Sequence, residues 1–346
     1  MRAALFEAVG RPLDVKTIET PQPGADELLL RVAACGICGS DLHMTEDPET
    51  FALKRGGVLG HEISGEVVTC GAEVANFKTG DRVAVAPMRG CGHCDSCSRG
   101  EPAWCAEMRL IGGGYAEFVT VAARQCRRLP DDLPTEEGAL AEPVAVGLHA
   151  VMRSGLKPGN RVLILGAGPI GLLVAFWARR LGAAHVVIAD LNRHQAERAG
   201  EIGATGFALS GEGLAEEFRA LTGGVPDIVF ECVGKRGLID AACRLVRVHG
   251  TVVAVGLCVG GDTWDPFAAI SKEIQVIFAV FFTMAEFDMA LQALSPGRHR
   301  PQALVTGRIG LAAVPEAFEA LKRRTTQCKV LITPAVGWNG IGGGLE

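Results

Sequence analysis

Cys91, Cys94, Cys97 and Cys105 fall within the fifteen-residue stretch CGHCDSCSRGEPAWC, separated by two, two and seven residues. Four thiolates on one short irregular loop can satisfy a tetrahedral Zn²⁺ completely, leaving no position for a substrate. Two local disulfides or four unrelated thiols are the other readings of this spacing. The remaining eight cysteines are scattered along the 346 residues. Nothing near the N-terminus resembles a secretory signal, because Glu7, Arg11 and Asp14 interrupt MRAALFEAVGRPLDV. Thiols that are not exported stay reduced, so the cluster reads as a structural zinc site and the protein as cytoplasmic.

A looser set has the residue types for reaction. Cys38 lies in CGICGSDLH (35–43), His61 and Glu62 follow Gly60, and Glu142 lies in AEPVAVGLHA. One thiolate, one imidazole and one or two carboxylates can hold Zn²⁺ while leaving a position for water or substrate. Such a metal is a Lewis acid that lowers the pKa of a bound alcohol and so eases hydride release near neutral pH. Each residue also has an ordinary reading. Cys35 and Cys38 form a C-x-x-C, yet no thioredoxin-like context surrounds it. His61 could be a buried strand-end histidine, Glu62 its exposed neighbour, and Glu142 a helix cap before Pro143.

A third constellation binds phosphate. Val162 to Leu165 reads as a buried strand, and Gly166-Ala167-Gly168-Pro169-Ile170-Gly171 follows it directly, ahead of a long apolar helix. The next strand, HVVIAD, ends at Asp190, nineteen residues past Gly171. Glycines here permit a tight turn and close approach of a pyrophosphate to helix-end N–H groups. Asp190 can accept hydrogen bonds from ribose hydroxyls and would repel a 2′-phosphate, which favours NAD over NADP. Arg193 is the counter-argument, since a guanidinium there could hold that phosphate; its plainer reading is a solvated helix-start residue.

The elements that must position these groups divide near Pro158-Gly159. Before it, ELLLRVAAC (27–35), EISGEVVTC (62–70), DRVAVAP (81–87) and AEFVTV (116–121) are short apolar runs bounded by turn residues, a mostly β pattern. After it, strands alternate with helices, which predicts a parallel sheet covered on both faces. KVLITP (329–334) is too short for its own domain and is expected to return to the first one. The run from Ile274 to Phe282 reads as buried strand, and VIFAVFF (276–282) within it as an edge for pairing between subunits. The tail VGWNGIGGGLE (336–346) reads as flexible.

Composition excludes other classes. Hydrophobic content of 48% with 21% charged residues fits an ordinary globular protein. A formal charge of -5 gives no reason to expect nucleic-acid binding, which usually shows as a basic face, and no run reaches the ~20 apolar residues of a membrane span.

The motifs CGICGSDLH, GHEISGEVVTCGAEV, GCGHCDSCSRGEPAWC, LAEPVAVGLHA, LGAGPIG, IAD and ECVG, in that order, resemble the zinc-containing medium-chain alcohol dehydrogenases. The likeness is to sorbitol, threonine and related secondary-alcohol dehydrogenases in particular, and it runs from Met1 to about Pro334. It implies an α/β fold class: a GroES-like β-rich catalytic domain over 1–143 and 284–346, and a doubly wound parallel-sheet Rossmann domain over 144–283. It implies two zinc ions per chain, one held by Cys38, His61, Glu62 and Glu142 and one by Cys91, Cys94, Cys97 and Cys105. Glu142 stands where animal and yeast alcohol dehydrogenases have a third cysteine, which points toward the polyol and threonine branch. Ser40 matches a hydroxyl that hydrogen-bonds the substrate oxygen, and His43 a residue that passes the proton to solvent. NAD contacts are implied at Gly166, Gly168, Pro169, Ile170, Gly171, Asp190, Val233 and Gly256.

The expected reaction converts a secondary alcohol or polyol and NAD to a ketone, NADH and a proton, with no nucleic-acid or membrane partner and a homodimer or homotetramer as the assembly. L-threonine 3-dehydrogenase is the alternative activity. A non-catalytic zinc/NAD(P)-binding protein is the alternative of another class, although such members typically lack the zinc ligands. One departure stands out: only nine residues, AEMRLIGGG (106–114), separate Cys105 from Tyr115. That segment normally approaches the substrate pocket, so its shortening bears on the substrate.

Overall fold

The run ELLLRVAACG forms the ten-residue strand Glu27–Gly36 in the computed structural model, which describes residues 1–295, 300–323 and 326–334. The tail 336–346, expected to be flexible, lies outside the described residues. Strand Glu27–Gly36 pairs antiparallel with Glu62–Cys70 along its whole length and with Phe118–Ala122 over its first half. Arg82–Val85 and Cys126–Arg128 extend the sheet on one side; Lys329–Ile332 and Val305–Ile309 extend it on the other. Leu28, Leu30, Val32, Ile63, Val67, Val83, Val85 and Val121 pack with Tyr115 and Phe318 into one apolar core. β-branched residues dominate the list because they fit a pleated, half-covered face.

Two compact units result. The first comprises Met1–Glu142, Thr283–Ser295 and a C-terminal return beginning at Val305; the second comprises Pro143–Phe282 and a short segment ending at Leu304. The second unit holds a six-stranded parallel sheet in the order Gly206–Leu209, His185–Asp190, Arg161–Leu165, Ile228–Glu231, Thr251–Ala254, Gln275–Phe278. Val162, Leu163, Ile164, Val187, Val229 and Val252 are wholly buried, as expected of strands with helices on both faces. Strand order reverses beside Arg161–Leu165, the switch point where such sheets bind ligands. Among the described residues, no helix is long and apolar enough to cross a membrane.

The expectation of a buried strand through Ile274 to Phe282 needs correction. Among the described residues, Gln275–Phe278 is the last strand of its sheet and pairs with Thr251–Ala254 alone, so its outer side carries no strand. Phe278 is 65% exposed and Val280 55%, while Ala279 and Phe282 are buried. The edge position expected for 276–282 is where Gln275–Phe278 lies, and an apolar run there has no neighbouring strand to cover it.

The return strand Lys329–Ile332 carries a charge into the first unit. Lys329 is 2% exposed, and its ammonium donates to Glu62 Oε1 and, at 3.0 Å, to the carbonyl of Ile37. Burial opposes its charge, but the Glu62 carboxylate holds the proton firmly on it. Removing one member of a fully buried pair strands the other, at a cost of about 3–5 kcal/mol. Lys329→Met should therefore lower the denaturant-unfolding stability of the metal-free protein by about that amount, and Lys329→Met with Glu62→Gln should recover most of the loss. Equal stability of wild type and the single variant would show that the pair carries no such burden.

Candidate functional site

Cys38 closes the turn between strand Glu27–Gly36 and the short helix Gly39–Glu46, at the helix N-cap. Gly36 pairs with Glu62 across the sheet, so the turn bearing Cys38 and the strand start bearing His61 and Glu62 meet at one sheet end. Donor atoms of Cys38, His61 and Glu62 lie within 4.8 Å of one another. Cys35, the other half of the C-x-x-C, is wholly buried, and burial pushes its thiol well up; it is not in that group.

Asp41 orients the histidine. It is wholly buried, with Oδ1 3.3 Å from His61 Nδ1. Its other oxygen accepts from the Tyr115 hydroxyl at 2.7 Å and from the Cys38 N–H at 3.0 Å. Burial works against the charge on Asp41, but His61, Tyr115 and the Cys38 amide together keep its carboxyl below the usual range. For His61 the balance is similar: burial disfavours the cation, and Asp41 more than reverses this, raising the pKa well above the ordinary value. With Nδ1 committed to a carboxylate, Nε2 is the nitrogen left for a metal, the usual arrangement around ligating histidines.

Glu62 offers the clearest test of whether a cation fits. Oε1 is held by Lys329, whereas Oε2 is buried with no hydrogen-bond partner among the described residues. An unsatisfied buried carboxylate oxygen costs several kcal/mol unless another group meets it. Residue 36 must be glycine for this oxygen to sit where it does, since a Cβ there would lie 1.8 Å from it. A thiolate, an imidazole nitrogen and this oxygen form a donor set that suits Zn²⁺ with a position left over. Glu142 is buried in the first turn of helix Ala141–Arg153 but outside the group of meeting donor atoms. Burial, opposed by His61 and reinforced by Glu62, pushes its carboxyl up to about 7. Ser40 and His43 share the helix Gly39–Glu46 at a spacing of three, hence one face. Ser40 is half-buried; the His43 ring is 42% exposed, 3.7 Å from Glu46.

The four-cysteine stretch folds around a one-turn helix, Asp95–Ser98, capped by Cys94, and a 3₁₀ turn, Pro102–Trp104. Donor sulfurs of Cys91, Cys94, Cys97 and Cys105 lie within 4.8 Å of one another, with Cys91 and Cys97 4.0 Å apart. Two sulfurs on one tetrahedral zinc stand about 3.8 Å apart, so the lobe is close to the geometry the metal needs. None of the twelve cysteines is in a disulfide. The His93 and Cys94 amides lower the Cys91 pKa to about 6, while burial raises that of Cys97 to about 11. The short segment after Cys105 is tied down: Arg109–Leu110 pairs with Met88–Arg89, and the amides of Gly114 and Tyr115 donate to Gly60 and Leu59.

In the second unit the glycine turn joins strand Arg161–Leu165 to helix Pro169–Arg180, with Gly168 at the N-cap and Pro169 beginning the helix. Ile170 follows half-buried, and a Cβ on Gly171 would lie 2.0 Å from the Gly166 carbonyl oxygen, so only glycine lets the turn fold this tightly. Asp190 ends its strand with Oδ2 accepting from the Ala167 amide at 2.9 Å, which ties it to the same turn. Arg193 is committed elsewhere, 3.1 Å from Glu217 and 3.4 Å from the Phe207 carbonyl. Glu231 stitches the remaining two positions: its side chain accepts from the amides of Val233 and Gly234, and its carbonyl from Gly256.

Four residues in these arrangements carry no role in the sequence reading: Asp41, Tyr115, Lys329 and Glu231. Asp41 sits inside CGICGSDLH and Tyr115 is the only tyrosine, so each has a local signal. Glu231 is an acid at a strand end before a tight turn. Lys329 has none, being 267 residues from its partner.

Residues 24–131 match the alcohol dehydrogenase GroES-like domain and residues 169–295 the zinc-binding dehydrogenase domain. Sorbitol dehydrogenase of Bacillus subtilis is 32% identical, over 96% of this chain and 97% of that protein. A zinc-binding dehydrogenase from Sinorhizobium meliloti, solved bound to NADP, superposes with a TM-score of 0.87 at 32% identity, over 96% of this chain and 99% of that one. The 2R,3R-butanediol dehydrogenase of Bacillus subtilis gives 0.85 at 31% identity, over 96% and 99%. With both domain types in order and relatives matched end to end, the chain belongs to the zinc-containing medium-chain alcohol dehydrogenase family.

Proposed function

We propose that the protein transfers hydride between a secondary alcohol or polyol and NAD. The observation that carries this reading is Glu62, whose carboxylate joins Cys38 and His61 in one donor group and keeps Oε2 buried without a hydrogen-bond partner among the described residues. Zinc held by those three residues would supply Lewis-acid chemistry at the substrate oxygen, and NAD would accept the hydride. Lys329 fixes Glu62 by one oxygen and Asp41 fixes the His61 ring, so the donors are placed before a metal arrives. Glu142 lies outside the donor group with its carboxyl at about 7, which suits a neighbouring proton holder better than a third ligand. Ser40, half-buried two residues past Cys38, takes the proton of the substrate hydroxyl, and His43, on the same helix face and exposed, gives it to solvent. The closed four-cysteine lobe braces its loop with a second zinc and does no chemistry.

Asp190 anchored to the glycine turn, and Arg193 engaged by Glu217, both support NAD over NADP. A carboxylate at the ribose end repels a 2′-phosphate, and no guanidinium is released to compensate. The relatives named for sorbitol and 2R,3R-butanediol act on secondary hydroxyls beside a second hydroxyl, and that substrate class is the one expected here.

NADH formation from sorbitol, xylitol, 2R,3R-butanediol and threonine tests the reading directly. Turnover of the diols and polyols is expected; turnover of threonine alone would replace them by the hydroxy-amino acid. No turnover of any substrate, with zinc bound only by the cysteine lobe, would make this a binding protein. Ser40→Ala should lower kcat by about 10²-fold or more while leaving NAD affinity unchanged, since positioned proton transfer contributes that much; near-wild-type turnover would remove Ser40 from the proton path. Asp190→Ala should raise kcat/KM with NADP relative to NAD, and unchanged selectivity would move the determinant away from this carboxylate.

A further inference from the structure

A second donor group adjoins the cysteine lobe. Donor atoms of Cys91, His93 and Glu107 lie within 4.8 Å of one another, and Cys91 belongs to both groups. His93 and Glu107 are exposed, whereas Cys105 is buried. Each follows a lobe cysteine by two residues, so the loops that shape the inner site also carry the outer one. His93 Nδ1 lies 3.2 Å from the Cys91 carbonyl, and the Glu107 amide donates to Cys105 Sγ at 3.4 Å. The His93 ring and the Glu107 backbone are thereby tied to the rim of the lobe.

We propose that Cys91, His93 and Glu107 form an outer landing site through which zinc enters and leaves the four-cysteine lobe. The inference rests on the lobe binding zinc. A tetrahedral ion enclosed by four thiolates has no free position, so it can be loaded or lost only by exchanging donors one at a time. Thiolate, imidazole and carboxylate are the three protein donors zinc accepts, and three of them leave a position for the next sulfur. Two donors on one zinc stand about 3.3–3.8 Å apart, so exposed side chains need move only by about an ångström to bind together. Transfer inward keeps the bond to Cys91. Bonds to the His93 nitrogen and the Glu107 oxygen break as bonds to Cys94, Cys97 and Cys105 form, and any proton displaced from these thiols goes to solvent. No electrons change hands.

The test is kinetic, on the full-length chain under reducing conditions. Zinc is removed with a chelator, and Zn²⁺ uptake and release by the lobe are timed in wild type, in His93→Ala with Glu107→Gln, and in Glu101→Gln as a neighbouring acid outside the group. The double variant should load and release zinc at least roughly fivefold more slowly with its equilibrium affinity held, because a stepping stone alters the barrier and not the end states. Glu101→Gln should match wild type. Unchanged rates in the double variant would overturn the proposal. So would a loss of affinity through faster release, which would make the two residues supports of the inner site. Equal slowing in Glu101→Gln would leave only general electrostatic attraction, and that too would overturn it. A lobe that binds no zinc in wild type would overturn both this inference and the reading it rests on.

Discussion

Buried charge must be matched by buried charge, and the first unit is organised around that requirement. Cys38, Asp41, His61, Glu62 and Glu142 bring acidic groups and one imidazole to a single sheet end, with Asp41, His61, Glu62 and Glu142 buried. Lys329 is a buried cation delivered against them by the return strand. Desolvation alone would drive such acids to take up protons. Pairing opposes this at Asp41, whose carboxyl His61 holds below the usual range, and Lys329 donates to Glu62 Oε1. Glu142, without a cation of its own at hydrogen-bonding distance in this network, is the carboxyl left near neutrality. Division of labour among three similar side chains thus follows from which of them receives a partner.

The two cysteine-bearing sites differ for the same reason. The lobe places four sulfurs on one local loop and is complete in itself, so its geometry needs little from the rest of the protein. The Cys38 site mixes donor types and draws them from a helix cap and the start of a strand, with Glu62 fixed by Lys329, 267 residues away. A site complete in four sulfurs would leave a zinc ion no position for a substrate. The second keeps one carboxylate oxygen unsatisfied, and that opening is what the proposed chemistry would use.

In the second unit the residues expected to meet the cofactor are held through backbone amides instead of by charge pairs. Asp190 grips the Ala167 amide, and Glu231 grips Val233 and Gly234 at the adjacent strand end. Each carboxylate fixes a loop at the carboxyl end of the parallel sheet, the edge where crossover topology leaves loops free to bind.

How much of this was legible beforehand depends on distance along the chain. The cysteine lobe, the glycine turn with Asp190, and the change from β-rich to alternating pattern near residue 158 are local, because metal spacing, turn sterics and strand–helix alternation operate over a few tens of residues. The sequence by itself determined these elements and the residue types available for chemistry. Tertiary structure alone decided which residues meet and which are covered: that Glu62 joins Cys38 and His61 while Glu142 stands outside, that Lys329 pairs with Glu62, and that Phe278 and Val280 are exposed. Burial and pairing set charge, and both are properties of contacts between segments far apart in the chain.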